Sequence, residues 1–191
     1  MALEALEEGL AVQLAKDGDG RPVLPQQEIC VSLSHTGGLG AAALSRHPAV
    51  VGLGVDLEWL HPRMSRVLPR IASEEEQALL HAVLGGRATD GDEAWLGAGL
   101  LWVVKEAAFK AARDPGLLFG KEGQRVVAVA PLQPVTPAVA KGGGGSTRWQ
   151  GTVNQGAAVD FYAGLGTSRL AEDPHGEPKH WVWAVAWSLL P

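Results

Sequence analysis

The segment His180–Ser188 constrains this chain most. Trp181, Trp183, Val185 and Trp187 alternate with Val182, Ala184 and Ala186, so both faces of an extended segment would be apolar. Such a strand belongs in the interior of a sheet, covered on both sides. The chain must therefore supply other strands, and it does. Ile29–His35, Leu39–Ser45 and Val50–Glu58 read as strands, separated by Thr36-Gly37-Gly38 and by Arg46-His47-Pro48, which suggests an antiparallel meander. Arg125–Ala130, Thr147–Val153 and Val159–Leu165 complete the set, and Gly142–Gly145 with Ser146 is a low-complexity loop.

Helical periodicity fills the middle. Ser73-Glu-Glu-Glu76 stands before Ala78, Leu79, Leu80, Val83 and Leu84, a serine three residues ahead of a glutamate at the head of an apolar run. That is a capping-box start. A second helix is expected from near Asp92 through Ala112, stopped by Asp114-Pro115-Gly116, with Gly97 and Gly99 weakening its first turns. Near the start, Leu3, Leu6, Leu10 and Leu14 predict an amphipathic helix over 3–16, ended by Asp17-Gly-Asp-Gly20. Strands, two helices, then strands make an α+β layout.

Composition narrows the function classes. With 191 residues, 46% hydrophobic and 19% charged, the chain can bury a core. The net charge of −5 disfavours a general nucleic-acid binder. Cys30 is the single cysteine, so no intramolecular disulfide and no cysteine-based zinc site can form. The acidic start Met1–Glu8 is unlike a secretory leader, and the apolar runs are too short to span a bilayer. A cytoplasmic protein without nucleic-acid or membrane partners is expected.

Four short constellations are able to carry chemistry. In Gly52-Leu-Gly-Val-Asp56-Leu-Glu58, the two carboxylates at i and i+2 project from one face of a strand end. Like charges so placed invite a hard divalent cation, although on spacing alone solvated acids at a strand end are the plainer reading. In Trp102-Val-Val-Lys105-Glu106-Ala-Ala-Phe-Lys110, Trp102, Glu106 and Lys110 share one helix face, which alone reads as well as a surface ion pair. Ser32-Leu-Ser34-His35-Thr-Gly-Gly38 ends a strand on a glycine turn able to cradle phosphate, or simply to hold a histidine in a hairpin. Gly20-Arg21-Pro22 offers one fixed cation in a turn. His47, His61, His81, His175 and His180 lack metal-ligand spacing.

Together and in this order, the four resemble the motifs of the 4′-phosphopantetheinyl transferase superfamily in its Sfp-like branch. That branch reads Gly-Lys/Arg-Pro, Ser-x-Ser-His, Gly-x-Asp-x-Glu and Trp-x-x-Lys-Glu-Ala-x-x-Lys, matched here by Gly20–Pro22, Ser32–His35, Gly54–Glu58 and Trp102–Lys110. Arg70–Glu76 also looks like the family's stretch between the last two motifs. The resemblance implies two similar lobes of antiparallel strands packed with helices. A shortened N-terminal lobe would cover 1–50 and a C-terminal lobe 51–191, with the site at their interface. Branch members carry a longer segment ahead of the first motif, so the first lobe is expected to be short, and the chain a monomer or self-associating.

By the same resemblance the activity is holo-acyl-carrier-protein synthase: phosphopantetheine passes from coenzyme A to a serine of an apo acyl- or peptidyl-carrier protein. Asp56, Glu58 and Glu106 would hold magnesium, with manganese as an alternative. Lys110 and Lys105 would face phosphate oxygens, Ser34 and His35 the 3′-phosphate, and Arg21 the nucleotide. Glu106 is the candidate base, Glu76 a second. Carrier proteins of this class are acidic, and Arg63, Arg66 and Arg70 at spacings of three and four offer a basic docking face. Two rivals stand beside this: a degenerate homologue that binds without transfer, and an unrelated magnesium-dependent phosphoryl hydrolase.

Overall fold

The computed structural model describes residues 14–18, 20–25, 28–84, 94–112, 128–131, 146–152, 158–168 and 179–189. It is a mixed α+β arrangement with antiparallel sheets. Most of the helix expected over 3–16, and the Gly142–Gly145 loop, lie outside the described residues. Where the end of that helix is described it is strand. β1 (Ala15–Lys16) pairs antiparallel with β2 (Pro22–Val23). The Asp17 carboxylate accepts the Arg21 N–H at 2.9 Å and Gly20 adopts φ 80°, so a tight turn wins over helical continuation.

β3 (Cys30–Thr36) and β4 (Leu39–Ser45) form a hairpin closed at Gly37 and Gly38, both at positive φ. The expected meander stops there. β5 (Val50–Trp59) leaves the hairpin and pairs with the last strand, β9 (Lys179–Leu189), from Val50 opposite Leu189 to Trp59 opposite Trp181. β5 is edge strand of a five-stranded sheet whose order is β5, β9, β8 (Ala158–Ser168), β7 (Ser146–Thr152) and β6 (Ala128–Pro131). Side chains replace the missing ladder between β3 and β5: Ser32 Oγ accepts the Val55 N–H at 3.0 Å.

Between β5 and β6 come a 3₁₀ turn (Pro62–Arg66) and the helices α1 (Leu68–Ile71), α2 (Glu74–Leu84) and α3 (Ala94–Ala112). The capping box is present. Ser73 Oγ accepts the Glu76 N–H at 3.2 Å, and Glu76 Oε2 accepts the Ser73 N–H at 2.8 Å. Gly97 and Gly99 do not delay α3. Both are buried, and a Cβ on Gly99 would collide with the Leu60 side chain, so close packing decides over propensity.

α3 packs across the sheet and forms the core with it. Val103, Val104, Ala107 and Ala108 meet Val159, Phe161, Val182, Ala184 and Ala186, all fully buried. β9 is interior, as its pattern predicts, but covered fully on one face only. Val182, Ala184 and Ala186 lie under α3, while Trp181, Trp183 and Trp187 are half-buried on the other side. There the indoles occupy the space left by glycines: a Cβ on Gly164 would stand 2.7 Å from the Trp183 ring, and one on Gly166 would strike Trp181. No described helix is long and apolar enough to cross a membrane.

Candidate active site

Alternation along β5 turns Gly52, Gly54 and Asp56 toward α3. The two glycines let the helix come down onto the strand. A Cβ on Gly54 would collide with the Ala107 carbonyl, and one on Gly52 with that of Ala111. At that separation Lys110 Nζ reaches Asp56 Oδ1 at 2.8 Å and the Val55 carbonyl at 2.9 Å. Glu106 lies one turn earlier on the same helix. Burial, followed by the nearby charge of Asp56, raises its carboxyl above the ordinary value, and Lys110 offsets part of this. The structure thus brings Asp56, Glu106 and Lys110 together. No motif marks Gly52 and Gly54 as part of the site; their alternation with Asp56 is the signal that could have found them.

Glu58 is the next residue of that alternation, and it faces β3. Its Oε1 accepts from Thr36 Oγ1 at 2.8 Å and from the Trp59 N–H at 3.0 Å. Ser34 Oγ donates to Asp56 Oδ1 at 2.8 Å. Ser34 is engaged with the acid pair, and His35, the next residue of a strand, points the other way and is exposed. The two therefore do not converge as one phosphate grip. Arg21 sits in the β1–β2 turn, where its backbone N–H is bound to Asp17; no hydrogen bond or ion pair joins it to the acids among the described residues.

Lys105 departs further. Its Nζ donates to Glu76 Oε2 at 2.8 Å and to the Ile71 carbonyl, and the residue is 5% exposed. Burial lowers its pKa, while the Glu76 hydrogen bond and charge oppose the shift. Lys105 is a lock between α3 and the head of α2, not a free cation beside Lys110. Glu76, the second base candidate, is sealed in the same lock.

Beside Glu58 lies a pocket of about 310 Å³, lined by Trp59, His61, Met64, Val67, Ala98 and Trp102 among others. Arg63, Arg66 and Arg70 are all exposed on the 3₁₀ turn and α1 next to it. Residues three apart eclipse in a 3₁₀ turn, so Arg63 and Arg66 share one side.

Residues 52–160, more than half of the chain, match the model of the 4′-phosphopantetheinyl transferase superfamily. The chain belongs to that superfamily. The match begins at Gly52, so it includes the acid pair of β5, the basic turn and the whole of α3. Transfer of a phosphopantetheine group is the general activity this membership supports. A comparison with curated proteins finds no match.

Among the described residues no group of three or more His, Cys, Asp or Glu side chains is drawn into a ready metal cage. The donors nonetheless suit a divalent cation. Asp56 raises the cost of ionising Glu106, Lys110 offsets part of it, and carboxylate oxygens are the ligands that magnesium takes.

Proposed function

We propose that this protein moves 4′-phosphopantetheine from coenzyme A to the hydroxyl of a serine on an apo acyl- or peptidyl-carrier protein, releasing 3′,5′-adenosine bisphosphate. The observation that carries the reading is the meeting of Asp56, Glu106 and Lys110 where α3 presses on β5, within the span matching the superfamily. The order of the four motifs favours the Sfp-like branch. On this reading residues 1–50 act as a short first lobe, 51–191 as the second, and the substrates enter between them, in the cytoplasm.

Asp56, Glu58 and Glu106 would hold magnesium, with manganese as a substitute. When bound, the ion supplies positive charge to the pyrophosphate of coenzyme A. The protein's own groups do the rest. Lys110, partly exposed, is able to leave Asp56 for a phosphate oxygen and to stabilise negative charge developing there. Glu106, directly or through a water, is the candidate to accept the proton of the serine hydroxyl as it attacks the β-phosphorus. The pocket flanked by Trp59 and Trp102 is mainly apolar and suits the uncharged pantetheine arm. Lys105 would have to leave Glu76 to reach a phosphate oxygen, which makes Lys110 the better candidate, and Ser34, His35 and Arg21 remain candidates for the 3′-phosphate and the nucleotide.

Arg63, Arg66 and Arg70 form the docking face for an acidic carrier. The decisive experiment incubates the protein with coenzyme A, magnesium and several apo carriers, and weighs the carriers by mass spectrometry. A phosphopantetheine gain that disappears in Glu106→Gln supports the proposal. Binding of coenzyme A without transfer points to a degenerate homologue, and phosphate release without carrier to a hydrolase. Reversing Arg63 and Arg66 to Glu should raise the KM for carrier and leave coenzyme A binding intact.

A further inference from the structure

β3 carries a hydroxyl at every second position, Ser32, Ser34 and Thr36, on the side that meets β5. The first binds backbone; the other two bind the acids. Ser34 fixes Asp56 Oδ1, and Thr36 with the Trp59 N–H fixes Glu58 Oε1. Asp56 Oδ2 and Glu58 Oε2 take part in none of these bonds. Among the described residues each carboxylate is thus pinned by one oxygen, with its second oxygen left for another ligand.

Thr36 is itself well held. It precedes the Gly37–Gly38 turn, and the Gly37 carbonyl accepts from Trp59 Nε1 at 3.1 Å, tying the hairpin tip to the end of β5. A Cβ on Gly37 would stand 2.6 Å from that indole nitrogen, so the tip is packed closely against the nitrogen-bearing edge of the ring. A β-branched side chain on such a strand has few rotamers, so its hydroxyl is preset toward Glu58. A hydroxyl donating to a carboxylate orients it.

We propose that Ser34 and Thr36 are positioning residues of the divalent-cation site, with Thr36 acting through Glu58 and Ser34 through Asp56; this rests on the reading that those acids hold the cation. Partners of this kind typically alter metal affinity by about 10- to 100-fold when removed. The hairpin is therefore part of the site without touching the ion.

The test uses the full chain and Mn²⁺ alone, without coenzyme A or carrier, with free Mn²⁺ followed by electron paramagnetic resonance. Thr36→Val keeps the shape and removes the donor, and should weaken Mn²⁺ binding about tenfold. Thr36→Ser should restore most of the affinity, and Ser34→Ala, made separately, should weaken it as well. Circular dichroism melts establish that each variant is folded. Wild-type affinity in folded Thr36→Val, a loss that serine does not rescue, or a wild-type chain that takes up no Mn²⁺ each overturns the inference. If wild type binds Mn²⁺ but modifies no carrier, the transferase reading fails while the contrast between valine and serine still decides this one.

Discussion

Lys105 and Lys110 stand on one helix less than two turns apart, and each holds a carboxylate at 2.8 Å. Their surroundings differ. The side chains of Lys105 and Glu76 are both 5% exposed, whereas Lys110 is 29% exposed over Asp56. Five residues turn a helix by about 140° beyond a full revolution, so the two amines leave it on different sides. One goes down to the capping box of α2 and stays there; the other goes toward the acids of β5, where a phosphate could compete for it. Equal distances conceal a structural clamp and an exchangeable site cation. A lysine inside a motif has no role until its side of the helix is known.

The comparison breaks most sharply under mutation. Removing one partner of a buried pair leaves the other charge stranded, at a cost of about 3–5 kcal/mol. Lys105→Met should therefore lower stability by that order in chemical denaturation, and Lys105→Met with Glu76→Leu should recover much of it. Lys110→Met should cost less than about 1 kcal/mol, as partly exposed pairs do, yet abolish carrier modification. Equal losses from the two single variants would mean that the clamp and the site cation are not distinct.

Gly54→Ala comes next. It drives a methyl into the Ala107 carbonyl and should cost about 1–3 kcal/mol by overpacking. It should also part Lys110 from Asp56, so activity should fall further than stability alone explains, measured as kcat at a temperature where the variant is folded. Gly38→Ala, with open space around its Cβ but φ 85°, serves as a control for backbone strain away from the helix contact.

The smallest effect sharpens the chemistry at the open end. Glu106 has its carboxyl raised by burial and by Asp56. A folded value above the unfolded one means that the folded state holds the proton more tightly. The stability this gives is complete below the ordinary glutamate range and is lost as pH rises through the folded value. Without divalent metal, Glu106→Gln should thus melt slightly above wild type at neutral pH, with the gap closing toward pH 4. Magnesium should raise the melting temperature of wild type and leave that of the variant nearly unchanged.

Much of this was legible in the sequence because it is local. The capping box at Ser73 and Glu76, the hairpin at Gly37–Gly38 and the interior position of β9 follow from residue types at fixed offsets. Asp56, Glu106 and Lys110 were likewise readable as candidates, since period two and period four place them on single faces of a strand and a helix. The sequence alone determined which side chains were available and which shared a face. Only the tertiary structure decided which faces met. It sent β5 to β9 instead of the hairpin, turned Ser34 to Asp56, and gave Lys105 to Glu76. Those outcomes depend on how closely two backbones approach across long separations, as Gly54 against Ala107 shows, and no local pattern encodes that distance.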